Sequence, residues 1–171
     1  MRTCSWPQVI RVAVAWTAVA VTTAFGLAQS GDAVTFRIEI LRVDLVVGED
    51  GKPTERFVEV TEAVPGEVVE YRIAVRNEGD VIFRPGTVVI TLPFGDGVSY
   101  QAETATTVPG QIFVEFSADG GDTYAEPPVL VGPDGDRTVA DPGDYDHVRW
   151  TFLEPFAPDE VRDLVYRVVV R

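Results

Sequence analysis

The sequence predicts an all-β chain, an antiparallel β-sandwich of about eight strands. Three observations predict it. Apolar and polar residues alternate through one run after another, which is the pattern of strands with one buried face. After residue 28 no stretch repeats at helical spacing. Clusters of Gly, Pro, Asn and Asp punctuate the runs, and no helical stretch lies between them to make the crossovers that parallel neighbours need.

Val34, Phe36, Ile38 and Ile40 alternate with Thr35, Arg37 and Glu39. After Ile40 the phase flips, and Leu41, Val43, Leu45 and Val47 become the apolar set. A one-residue change of phase sends every side chain to the other face. It predicts a bulge near Ile40, or a strand that leaves one sheet and joins the other. Gly48 to Thr54 is a polar turn, and Arg56 to Thr61 a short strand. Val69, Tyr71, Ile73 and Val75 form the cleanest alternation, after a Pro65-Gly66 turn and before Asn77-Glu78-Gly79-Asp80. Val81 to Phe83 is a further short candidate, and Val88, Ile90 and Leu92 another strand, broken by Pro93 to Gly97. Val98 to Glu103 and Ile112 to Ser117 follow, then a tight turn at Asp119 to Asp122. Val131 to Asp146, rich in Gly, Pro and Asp, reads as a long loop. Val148, Trp150 and Phe152 alternate, Pro155 to Glu160 turns the chain, and Leu164, Tyr166, Val168 and Val170 form the last strand. The inward rows carry Phe36, Tyr71, Trp150, Phe152 and Tyr166. Each such side chain contributes roughly 1.5–3 kcal/mol when buried.

Residues 1–28 read differently. Arg2 and Arg11 mark a charged head, and Val12 to Phe25 is an uncharged run of 14 residues. Gly26-Leu27-Ala28 then supplies small residues where a signal peptidase reads, so cleavage is expected between Ala28 and Gln29. A spanning helix needs about 20 apolar residues. Extending this run to that length takes in Arg11, which favours a cleavable signal helix over an anchor. Cys4 precedes the apolar run, where a lipoprotein cysteine would follow it. The expected organisation is a signal peptide at 1–28 and one domain at 29–171.

Residues 29–171 contain no cysteine, which excludes disulfides and thiol chemistry. They carry 12 basic against 27 acidic residues, a formal charge of −15. That balance excludes a phosphate-backbone partner, which needs a basic face. The same sign argues against anionic membrane surfaces, and no membrane insertion is expected once the signal is cleaved.

Three segments resemble a known family. Pro65-Gly66-Glu67-Val68-Val69-Glu70-Tyr71-Arg72-Ile73-Ala74-Val75-Arg76-Asn77-Glu78-Gly79 resembles the opening of the "conserved repeat" domain of unknown function number eleven, a Pro-Gly turn and a strand ending in Val-x-Asn-x-Gly. Val88 to Pro93 resembles its next strand and Leu-Pro break. Val148-Arg149-Trp150, then Leu153 to Glu160, resembles its Trp strand and following turn, with Pro158-Asp159 standing where the family has Pro-Gly. The likeness covers roughly Ala63 to Arg171. It implies an immunoglobulin-like sandwich in a surface or secreted protein of bacteria or archaea, and no catalytic residues to transfer.

Ser117-Ala118-Asp119-Gly120-Gly121-Asp122-Thr123-Tyr124 resembles the "Asp box" turn of sialidase-like propellers. One copy cannot make a propeller, so the segment is expected to be a structural turn in which Asp119 accepts from turn amides. Asp134, Asp136, Asp141, Asp144 and Asp146 are candidate Ca²⁺ ligands, because carboxylates and carbonyls suit that ion. Their spacing matches no standard loop, and a solvated acidic loop is the competing reading. His147, the one histidine, cannot build a zinc site alone. No phosphate-cradling loop or nucleophile elbow is present.

The functional expectation is a non-catalytic exported protein, structural or adhesive, in the periplasm, at the cell surface or secreted. Its partners would be other envelope or extracellular proteins, or itself. A sharper version has Val34 to Val47 donated to a neighbouring subunit's sheet. The competing version keeps it in its own domain. A ligand-binding module for carbohydrate is the alternative, with Phe94, Tyr100, Tyr124 and Tyr145 as its aromatics. No cofactor beyond Ca²⁺ is implied.

Overall fold

The larger sheet has five strands and is centred on β3 (Val68–Asn77), whose apolar phase is continuous. β1 (Val34–Val47) lies on one side of it and β10 (Val161–Val170) on the other. β2 (Pro53–Glu59) extends the sheet beyond β1, and β5 (Val98–Tyr100) beyond β10. A second sheet holds β4 (Val89–Pro93), β9 (His147–Phe152) and β6 (Ile112–Ser117), with β9 central. Every pairing is antiparallel. This is a computed structural model of the chain, and it describes residues 33–131 and 136–171. The signal helix and the Ala28–Gln29 cleavage point lie outside the described residues.

The two sheets face each other across the alternating residues. Trp150 meets Tyr166 with ring centroids 6.0 Å apart, and Tyr100 meets Phe116 at 4.7 Å. Val69, Ile73, Val75, Leu164 and Val168 from one sheet bury against Ile90, Val114, Val148 and Phe152 from the other. Tyr71 stacks on Tyr166 at 4.8 Å and stays half-buried. Thr106 links the layers, its carbonyl accepting the Trp150 Nε1–H and its N–H donating to Val165.

Asn77 shows why a strand ends in Val-x-Asn-x-Gly. It is wholly buried, and its Nδ2 donates to the carbonyls of Val81 (2.9 Å) and Phe156 (3.1 Å) while Oδ1 accepts from Gly79 N–H. A Cβ on Gly79 would come within 2.8 Å of the Ala33 Cβ, so the bare backbone is what admits the start of β1 here. Val81 to Phe83 is not a strand, because Phe83 makes one isolated bridge, to Phe156.

Two further expectations need correction. β1 has neither a bulge nor a change of sheet. Its register is unbroken against β3 from Val34 to Arg42 and against β2 from Leu41 to Val47. What changes is the partner, and with it the face that has something to bury against. The segment Val131 to Asp146 is also more ordered than a loop. β7 (Val129–Val131) and β8 (Arg137–Val139) form a hairpin, and Pro142–Asp144 a turn of 3-10 helix. Three-residue strands set among Gly, Pro and Asp leave too short an alternation to read.

Candidate functional site

The hairpin formed by β1 and β2 is the part of the molecule least explained by the sandwich. Glu55 pairs in register with Leu45, while Arg167 lies opposite Glu70, which lies opposite Leu41. In a flat sheet Glu55 and Arg167 would stand about 20 Å apart at ordinary strand spacing and rise. Arg167 instead grips both Glu55 oxygens at 2.7 Å. The hairpin therefore curls across the outer face of β3 and β10. Phe57 follows it over, with the Arg72 guanidinium 4.3 Å above its ring and that of Arg167 at 5.9 Å.

Beneath the curl sits Glu70, only 3% exposed. Arg72 Nε donates to Oε1 at 2.6 Å and Arg167 Nε to Oε2 at 2.8 Å. The phase flip now has a physical account. Beyond Ile40 the sandwich no longer covers β1, and Leu41 and Val43 share the outer face with Phe57 and Glu70. Farther out the apolar set is left uncovered, with Leu45 75% and Val47 79% exposed.

The opposite face of the hairpin bears an open groove of about 430 Å³, lined by Arg42, Asp44, Leu45, Val46, Arg56 and Glu67 among others. Its charges answer one another. Asp44 accepts from Arg42 and Arg56, each at 2.8 Å, and those bonds hold its carboxyl below the usual range. Glu67 accepts from Arg42 at 3.2 Å and from Val64 N–H at 2.9 Å. Hydrogen bonds from Arg167 likewise hold Glu55 low. Both faces of the hairpin thus carry charges paired within the chain, and the outer face adds the exposed aliphatics Leu45 and Val47, which suits it to contact with another surface.

The Ser117–Tyr124 segment forms the structural turn expected of it. Asp119 accepts from Thr123 Oγ1 (2.6 Å), Thr123 N–H (2.9 Å) and Ser117 Oγ (2.8 Å). Gly120 and Gly121 take φ of 80° and 88°, which only glycine adopts without strain. Asp146, the residue before β9, clamps the turn, accepting from Gly120 N–H and from His147 Nδ1. Thr123, then Ser117, hold Asp119 at about 2. For Asp146 burial pushes upward, but the bonds from His147 and Gly120 outweigh it and leave the group low. A carboxylate below its ordinary value near 3.8 contributes stability that is complete above about pH 4 and is lost as pH falls toward 2. Asp119→Asn should therefore lower the melting temperature at neutral pH, by an amount that shrinks toward pH 2. Melting curves from pH 2 to 7 check this. An unchanged acid limb would show that the carboxylate does not hold the turn.

No family model, curated protein or solved structure matches this chain.

The sequence-predicted Ca²⁺ candidates that are described serve different local roles. Asp141 caps the 3-10 turn through Gly143 N–H, Asp144 lies within that turn, and Asp146 serves the clamp. Asp136 is exposed just before β8, and Asp134 lies outside the described residues. Among the described residues no three His, Cys, Asp or Glu side chains gather to hold a metal ion. The aromatics named for sugar binding do not share an exposed platform. Tyr100 and Tyr145 are buried, stacked at 5.8 Å, and Phe94 packs on Tyr100 at 5.4 Å. Tyr124 lies under the Arg149 guanidinium, 4.0 Å from it. The cluster around Glu70 was missed by sequence reading. Its one local sign is the charge alternation Glu70-x-Arg72, which every solvated strand face shares.

Proposed function

We propose that this chain is an exported, non-catalytic protein of the cell envelope or extracellular space that works by surface contact, as a structural or adhesive module. The observation that carries the reading is the apolar row left exposed on the outer face of the β1–β2 hairpin, Leu45 and Val47, where Glu55, directly opposite Leu45, is already paired with Arg167. Uncovered aliphatics rimmed by polar groups mark contact surfaces. The run from Val12 to Ala28 supports export, and the three segments resembling conserved-repeat domains support the same compartment.

Mass spectrometry of the chain recovered from fractionated source cells tests this. The expected result is a chain beginning at Gln29, outside the cytoplasm, that a crosslinker placed at Val47 joins to an envelope or extracellular protein or to another copy. Leu45→Asp in the chain that carries the crosslinker at position 47 should abolish that product. An uncleaved chain found in the cytoplasm would overturn the reading.

A further inference from the structure

Two backbone facts meet along the outer edge of β1. The Ala33 carbonyl accepts Glu78 N–H at 2.7 Å, so odd-numbered residues of β1 turn their peptide groups toward β3. The Ile40 carbonyl accepts Val60 N–H at 3.3 Å, so even-numbered residues turn theirs away from β3. β2 meets that side only from Leu41 onward. Among the described residues, none pairs with the outward N–H and C=O groups of Val34, Phe36 and Ile38. The side chains of these residues point toward the sandwich side, but there the cover runs out. Phe36 is 36% and Ile38 37% exposed, although Val75 and Ile73 directly opposite them are buried. Free ladder groups beside exposed apolar side chains make an edge competent for strand addition.

We propose that this edge pairs with the same edge of a second copy of the chain, β1 against β1, antiparallel about a two-fold axis. The inference extends the contact reading above to a second surface and names its partner, and it rests on that reading.

Register is what commits the occupant to a second copy. Only outward-facing, even-numbered residues can exchange bonds across the new ladder. Val60 already fills the place beside Ile40, which closes every register that needs Ile40. With Phe36 opposite Ile38, Arg37 would face Arg37 of the second copy, and directly opposed like charges are unfavourable. With Phe36 opposite Phe36, Val34 faces Ile38 twice and Arg37 faces Thr35 twice. That register makes six backbone bonds, joins the apolar residues in one row, and opposes no like charges. Each Arg37 keeps its own Glu39 at 3.1 Å. The stretch Val34-Thr35-Phe36-Arg37-Ile38 is complementary to itself when reversed.

Sedimentation velocity over a concentration series of the exported form, residues 29–171, tests the pairing. The expected result is a monomer–dimer equilibrium that tightens as NaCl is raised, because salt screens repulsion between copies carrying −15 each. Ile38→Pro removes an outward N–H and no bond to β3, a place where an edge strand tolerates proline. It should weaken association at least tenfold and leave the circular-dichroism spectrum unchanged. A second variant reads register without depending on that fold. Phe36→Cys should form a disulfide-linked dimer under mild oxidation, in a chain with no other cysteine after residue 28, while Ile38→Cys alone should not. A chain that stays monomeric at every concentration overturns the pairing, as does a dimer insensitive to Ile38→Pro or a foreign strand bound at this edge to a monomer. An exported monomer overturns this pairing alone, whereas cytoplasmic recovery of the uncleaved chain defeats the contact reading.

Discussion

Trp150→Ala should cost about 3–5 kcal/mol of unfolding free energy, the range for deleting a large aromatic from a packed core. Trp150 is 0% exposed and sits in the middle of the central strand of its sheet, between Ile90 and Val114. Its ring faces Tyr166 of the other sheet, and its Nε1–H donates to the Thr106 carbonyl at 3.0 Å. The residue thus fills the space between layers and ties a loop to both. For a domain of this size the loss corresponds to roughly 10–15 °C in melting temperature. Trp150→Phe keeps most of the apolar volume but leaves the Thr106 carbonyl without its donor, a smaller cost of about 1–3 kcal/mol. Urea denaturation of the two variants beside the parent measures both differences. A loss below about 1 kcal/mol for Trp150→Ala would mean that the indole is not packed between two sheets, and the sandwich would fall with it.

Trp150 was legible because a central strand of the core repeats its signal: Val148, Trp150 and Phe152 alternate, and all three are buried. The same holds for Val69, Ile73 and Val75, and for Leu164, Tyr166, Val168 and Val170. Period-2 alternation records which side of a strand is covered, and these strands are covered by one surface along their whole length. β1 was legible as a strand but not in its meaning. Alternation says nothing of which partner supplies the cover, and the partner changes at Leu41. Phe36 sits in the inward phase yet remains exposed, because the smaller sheet stops short of it. Glu70 is the opposite case. A charged residue in the outward phase reads as solvated, yet it is buried by a hairpin curling back from sequence positions 41 to 59. Its cationic partner Arg167 stands 97 residues away, which no window reaches. The turn at Ser117 to Tyr124 was legible because its bonds are local, and the Asp146 clamp was not, for the reason that hid Arg167.

That buried carboxylate gives the second large effect. Arg167→Ala should destabilise the chain by about 2–4 kcal/mol, at the lower side of the cost of stranding a buried charge because Arg72 stays on Oε1. Two losses combine. Glu70 keeps a single partner in a site that water barely reaches, and Glu55 is released, so the hairpin loses the bidentate grip that holds it over the sheet. Arg167→Lys should recover little, because an ammonium cannot hold two Glu55 oxygens while reaching Glu70. Glu70→Met with Arg167→Met should return to within about 1–2 kcal/mol of the parent, since replacing a buried pair by apolar side chains removes the stranded charge along with its partner. Hydrogen exchange separates the two losses. With Arg167→Ala the amides of β2 should exchange faster, while those of β9 keep their protection relative to global unfolding. The double variant should restore stability without restoring protection in β2, because nothing in it holds Glu55. If Arg167→Ala proves indistinguishable from the parent in both measurements, Glu70 is solvated and the hairpin does not close over it. The row at Leu45 and Val47 would then lose the rigid support that a contact surface needs.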